Sequence, residues 1–221
     1  MRAAGFVAAL GLLPCLFLPG GATLAQPSKD APPLKQDGNY RLISPQPIAT
    51  GDKIEVIDFF WYGCPYCNQL QPALNAWIAS KPADVEVRRV PVIIRDSWAP
   101  HARIFYTLEA LGEVDRLHQE VYRGYHVEEL RMSNPDVMAQ WAARHGIARD
   151  RWLQAYNSEL VAGKVRLAQR STRDYDIQGT PSLVVDGRYL TSGGMNDDIP
   201  EMIPVLDQLI RLARAGRAAK Q

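Results

Sequence analysis

The chain has 221 residues, 47% of them hydrophobic, with 25 Lys plus Arg against 24 Asp plus Glu. That composition supplies one sizeable core and argues against global disorder. The near balance of charge implies no strongly basic face, which counts against nucleic acid as a partner.

The first 25 residues differ from the rest. Met1-Arg2 carries one positive charge, Ala3 to Leu18 is apolar, and small residues end at Ala25. This is the layout of a secretory signal peptide cleaved after Ala25. The rival, an uncleaved anchor, has an apolar run of about 16 residues containing Pro14, short for a membrane span of roughly 20. Leu12-Leu13-Pro14 before Cys15 lacks the small residues that lipidation needs. Cleavage removes Cys15 and Arg2, leaving 24 basic and 24 acidic residues and two cysteines, Cys64 and Cys67, in an oxidising setting.

Residues 26–38 are polar and Pro-rich and read as a flexible lead-in. Asn39 to Ile43 fits a short strand. Lys53 to Trp61 is the strongest strand signal, nearly continuous in Ile54, Val56, Ile57, Phe59, Phe60 and Trp61, as in a strand buried on both faces. Gly63 breaks it. Pro65 suits the first turn of a helix, where no N–H is needed. Leu70, Leu74, Trp77 and Ile78 give that helix an apolar stripe, with a kink expected at Pro72. Val85 to Val92 is the next strand.

From Ala99 to Asp174 the patterning is helical only. Ile104, Leu108 and Leu111 form one stripe, and Leu117, Val121 and Tyr122 another. Asn134-Pro135 marks a helix start and Gly146 its end. Trp152, Leu153 and Tyr156 open a further helix, and a long one runs from Ser158 to Asp174. Ser182 to Val185, a turn at Asp186-Gly187 and Tyr189 to Thr191 form a hairpin. A last helix carries Ile203, Leu206, Ile210 and Leu212. The order predicts an α/β chain: a thioredoxin-like fold with a central mixed β-sheet over 39–97 and 175–215, interrupted by an all-helical domain over 98–174.

Cys64-Pro65-Tyr66-Cys67 is a C-x-x-C pair, open to zinc, haem, static disulfide or redox readings. Structural zinc needs further ligands, and His101, His118, His126 and His145 are scattered over the helical block, where surface or packed positions explain them. A c-type haem would need His where Asn68 stands. A static disulfide would close a very small loop and constrain little. The redox reading has a mechanism. At a strand end and helix start, unsatisfied N–H groups and the helix dipole favour a thiolate on Cys64. The dipole supplies up to ~2 kcal/mol, roughly 1.5 pKa units, so a strongly acidic cysteine also needs hydrogen bonds from backbone N–H groups or from Tyr66. Cys67, one turn further in and more buried, suits a resolving thiol.

Asp58 is the anomaly in the buried strand. It is either a carboxylate reaching solvent at a sheet edge or a buried proton acceptor beneath Cys67. Gly179-Thr180-Pro181 precedes a strand. Beside the cysteines, a cis bond there would leave backbone groups free to pair with an extended substrate chain.

The run Ile57 to Cys67 resembles the active-site strand and helix of the DsbA family, and Gly179-Thr180-Pro181-Ser182 with Val184-Val185-Asp186-Gly187 is similar to that family's cis-proline loop and hairpin. The likeness covers about residues 40–212. It implies that Cys64 is the nucleophile, Cys67 the resolving cysteine, Asp58 the buried acid and Thr180-Pro181 the cis-proline pair. It also implies a periplasmic thiol:disulfide oxidoreductase that oxidises exported polypeptides and is itself reoxidised by a membrane quinone-linked partner of DsbB type. Two departures stand out. Tyr66 replaces a frequent His, which predicts a weaker oxidant, and Asp58 is shorter than a frequent Glu. The expected enzyme is monomeric and needs no cofactor or metal. A disulfide isomerase or reductase of the same fold is the nearest alternative, although only about 15 residues separate the expected signal peptide from the first strand, too few for a dimerisation domain. A non-catalytic chaperone-like module with a static disulfide is the other.

Overall fold

The computed structural model describes Met1 and residues 33–219. The expected signal peptide and the first part of the lead-in lie outside the described residues. Five strands form one mixed sheet: β1 (Arg41–Leu42), β2 (Ile54–Phe60), β3 (Val85–Pro91), β4 (Ser182–Val185) and β5 (Tyr189–Ser192). Their order is β1-β5-β4-β2-β3. Only β2 and β3 pair in parallel; the other ladders are antiparallel. The parallel pair is joined by helix α1 (Pro65–Ser80), which runs on through Pro72.

Between β3 and β4 come five helices: α2 (Ala99–Leu111), α3 (Val114–His126), α4 (Pro135–Arg144), α5 (Arg149–Tyr156) and α6 (Glu159–Asp174). Helix α7 (Met202–Ala218) closes the fold. The helix starts follow local chemistry. Asn134 accepts from the N–H groups of Asp136 and Val137 with Pro135 next, and Ser158 accepts from Val161. The tight β4–β5 turn places Asp186 and Gly187 at φ 55° and 62°, the primed geometry that matches strand twist.

β2, an interior strand flanked by β4 and β3, is buried at all seven positions, Glu55 and Asp58 included. Alternation sorts its side chains onto two faces. Ile54 and Val56 join Leu70, Leu74 and Trp77 of α1 and Val205, Leu206 and Leu209 of α7. Ile57 and Phe59 join the core of the helical block, with Phe105, Leu108, Tyr122, Trp141 and Trp152. The expected strand over Asn39–Ile43 shortens to a two-residue ladder. Beyond it, Ile43 and Gln46 still follow the hairpin, donating to the carbonyls of Arg188 and Gly187 at 2.9 Å each.

Candidate active site

At the end of β2 the chain turns sharply, and the Cys64 N–H donates to the Trp61 carbonyl at 2.9 Å. Gly63 is required by close approach. A Cβ there would fall 2.3 Å from the Trp61 ring, which is stacked on Trp98 at 4.0 Å between centroids and 2° between planes. Cys64 then caps α1, with extended backbone and Pro65 behind it at the first helical position. Cys67 lies one turn on. Both cysteines are free thiols. Cys64 keeps 6% exposure and Cys67 none.

The two sulfurs differ in proton affinity. The Cys64 thiol is brought down to about 6, first by a hydrogen bond from the Cys67 side chain. The Thr180 side chain and the N–H groups of Cys67 and Tyr66 add to this, and together they outweigh burial. The Cys67 N–H reaches Cys64 Sγ at 3.4 Å. When protonated, Cys64 donates to the Thr180 carbonyl at 3.2 Å, a bond that favours the thiol and is outweighed by the donors. Cys67 moves the other way: burial, then its neighbour Cys64, push it well above the ordinary thiol value. Tyr66 is 58% exposed, and its contribution to Cys64 comes through its backbone N–H. The Thr180–Pro181 bond is cis. Thr180 also lines, with Tyr66, Gln69, Gly193, Gly194 and Asn196, an open groove of about 350 Å³ beside the cysteines.

Asp58 does not reach solvent at a sheet edge. It sits in β2, between β4 and β3, with no exposure, on the side of α1. Burial raises its carboxyl to about 6, against the lowering effects of Arg89 and then Gln71. The Arg89 guanidinium is opposite it in the ladder, with Nε 3.9 Å from Oδ2, too far for a hydrogen bond. Gln71 lies against the carboxylate without closing a hydrogen bond. Arg89 is held on α1 by Asn75 at 3.0 Å.

Three of the four histidines, dispersed along the sequence, meet at this turn. The Tyr62 hydroxyl and His118 Nδ1 share a buried hydrogen bond of 2.8 Å, and His126 Nε2 donates to the Tyr62 carbonyl at 2.9 Å. His101 stacks on Trp61 at 5.5 Å. Burial, then the charge of His126, lowers His101 to about 4, and burial with Arg89 holds His118 far below the usual histidine value. Both are therefore neutral near pH 7. The signal for the Tyr62 clamp was present in the spacing: His118, Tyr122 and His126 recur every four residues and share one face of α3. His145 stays apart, against Trp141 of its own helix.

A cysteine with a stabilised thiolate, capping a helix and backed by a buried thiol three residues on, is built for thiol–disulfide exchange. Relatives agree with that chemistry. A family model described as a DSBA-like thioredoxin domain matches residues 94–202. The thiol:disulfide interchange protein DsbA of Burkholderia cepacia is 36% identical over 90% of this chain and 95% of its own length. Its counterpart in Azotobacter vinelandii is 37% identical over 77% and 80%. The crystal structure of Pseudomonas aeruginosa DsbA superposes with a TM-score of 0.78 and 34% identity, over 84% of this chain and 96% of that one. With the fold, the cysteine pair and near full-length similarity in agreement, the chain belongs to the DsbA family of thioredoxin-fold thiol:disulfide oxidoreductases.

Proposed function

We propose that the protein is a periplasmic dithiol oxidase that gives its Cys64–Cys67 disulfide to exported polypeptides. The observation that carries this reading is the opposed pair of proton affinities, Cys64 near 6 and Cys67 raised by burial. A sulfur that is stable as a thiolate is the better leaving group and makes its disulfide the better oxidant. A substrate thiolate attacks Cys64, the bond to Cys67 breaks, and a mixed disulfide forms on Cys64. A second substrate thiolate then displaces Cys64, and the enzyme is left as a dithiol. Thr180 and Pro181, with the groove beside them, are the surface on which an extended substrate chain would lie.

The remaining assignments follow the same reading. Residues 1–25 direct export, the enzyme acts as a monomer, and a membrane quinone-linked partner of DsbB type restores the disulfide. Residues 98–174 form the helical domain inserted between the two thioredoxin-like segments, 39–97 and 175–215. Among the described residues no helix is long and apolar enough to cross a membrane.

The test is the reduction potential of the Cys64–Cys67 pair, measured with the rate at which the oxidised protein forms disulfides in a reduced unfolded substrate. An oxidising potential with rapid transfer is expected. A potential near about −270 mV, where reducing thioredoxins work, would turn the assignment to a reductase.

A further inference from the structure

The groove beside the cysteines carries charge of one sign. Helix α1 gives it Tyr66 and Gln69, and Thr180 joins it to Cys64, whose thiol donates to the Thr180 carbonyl at 3.2 Å. The rest of its lining is the segment after β5, which includes Asp197, Asp198 and Ile199. That segment is fixed against the cis-proline. The Gly193 N–H donates to the Pro181 carbonyl at 3.0 Å, and a Cβ on Gly193 would stand 3.3 Å from Pro181 Cδ and 2.8 Å from Ile199 Cδ1. Asn196 Nδ2 donates to Thr191 Oγ1 at 2.9 Å and to the Ser192 carbonyl at 2.8 Å, and the turn at Ile199–Glu201 packs on α1. The two carboxylates therefore stand on ordered chain. Asp198 accepts from the Ile199 N–H at 2.8 Å and so shapes the turn. Asp197 is exposed and has no hydrogen bond or ion pair among the described residues. No Lys, Arg or His among the described residues lines the groove. The whole chain carries 25 basic and 24 acidic residues, so this excess of negative charge is local. The exposed Tyr66 ring in the same lining adds a face that attracts cations.

We infer that the groove selects substrate segments carrying Lys or Arg close to the reacting cysteine, with Asp197 as the main specificity-determining residue and Asp198 as its support. The inference rests on the proposed transfer of the Cys64–Cys67 disulfide and names the substrate class that transfer favours. An extended chain whose cysteine meets Cys64 lays its neighbouring side chains along the groove. A cation there meets two carboxylates and the Tyr66 ring. A substrate carboxylate meets like charge with no lining cation to offset it. Because Asp197 and Asp198 are both exposed, each contact stays partly solvated. The discrimination is therefore moderate and sensitive to salt.

The experiment follows loss of the Cys64–Cys67 disulfide when the oxidised protein meets an excess of a reduced peptide. The peptides are equal in length, and their single cysteine is flanked by arginine, by glutamine or by glutamate. Each rate is divided by that peptide's rate with a neutral small-molecule disulfide, which removes the effect of the flanking charge on the peptide's own thiol. At low salt the arginine peptide should react about fivefold faster than the glutamine peptide, the upper end for an exposed ion pair, and the glutamate peptide about fivefold slower. In Asp197→Asn the arginine-to-glutamine ratio should fall to about twofold. Adding Asp198→Asn should bring it to about one, with the capping bond to Ile199 kept by asparagine. High salt should compress the ratio of the unsubstituted protein in the same way. Equal rates, a faster glutamate peptide, or an arginine preference that survives the double substitution each overturn the inference. If none of the peptides reduces the Cys64–Cys67 disulfide, the transfer reading fails and the inference with it. Reduction by all of them without discrimination refutes the inference alone.

Discussion

The outer and inner sides of the dithiol are three residues apart and chemically opposed. On the outer side, Cys64 keeps a sliver of solvent exposure and collects donors from Cys67, Thr180 and two backbone N–H groups. On the inner side, Cys67, Asp58, Gln71, His118 and Tyr122 are almost or wholly without solvent and leave several polar atoms unpaired. Donors lower proton affinity outside, and burial raises it inside. One helical turn thus separates a sulfur that prefers to be a thiolate from one that prefers its proton. Such a split favours a protein that hands on its disulfide.

The inner side should show the largest response to a single substitution. Asp58 has its carboxyl raised from 3.8 to about 6, chiefly by burial. The folded state therefore binds this proton more tightly than the unfolded chain. Its contribution to stability is greatest below about pH 4 and is lost as pH rises through about 6. Above that, the buried charge costs up to about 3 kcal/mol. Asp58→Asn should recover most of this at pH 8 and flatten the stability profile between pH 4 and 6, as denaturant titrations across pH would show. An Asp58→Asn protein less stable at pH 8 would mean that the attraction of Arg89 exceeds the cost of burial, and the contrast between the two sides would weaken.

Gly63 joins the two sides, and its replacement should be the next largest effect. A methyl group there would meet the Trp61 ring at 2.3 Å, and that ring is held against Trp98 and His101. Gly63→Ala should cost about 2 kcal/mol, typical of overpacking. It should also slow exchange, because the turn that aims Cys64 is displaced. Retained stability and rate would show that the aromatic stack yields easily.

Much of this architecture was legible before folding, and the reasons are specific. β2 announced itself because a strand buried on both faces needs a nearly continuous apolar run, and Glu55 and Asp58 are the two residues that interrupt it. Pro65 after Cys64 and Asp186-Gly187 between two apolar runs are local signals, and both fell where local chemistry places them. The rest depended on contacts between distant segments. Tyr62 and His118 are 56 residues apart, and Tyr62 and His126 are 64 apart, so their bonds exist only once α3 lies against the turn. Tyr122 read as one member of an apolar stripe, because a period of about 3.6 reports the face of a helix and not whether a hydroxyl finds a partner. The partners of Asp58 were likewise hidden: Gln71 comes from α1 and Arg89 from the parallel ladder.

The finest test of the comparison lies on the outer side. Thr180→Val keeps the shape of the residue and its carbonyl, which accepts from the Cys64 thiol at 3.2 Å, but removes the side-chain donor to the thiolate. The dominant donor, the Cys67 side chain, remains. The Cys64 titration should therefore move up from about 6 by roughly half a unit and stay below that of an ordinary thiol. A folded-state value below the unfolded one gives the reduced protein stability that is fully present above about pH 9 and lost as pH falls through about 6. The substitution should shift the lower edge of that window upward. Because the dithiol is then less favoured, the potential should become more negative by on the order of 10 mV, a small change for a partly exposed group. Thiolate absorbance against pH, with the redox equilibrium measured on the same samples, would read both. A shift of several units would instead make Thr180 the principal donor and Cys67 a minor one, which would reverse the order of effects at Cys64.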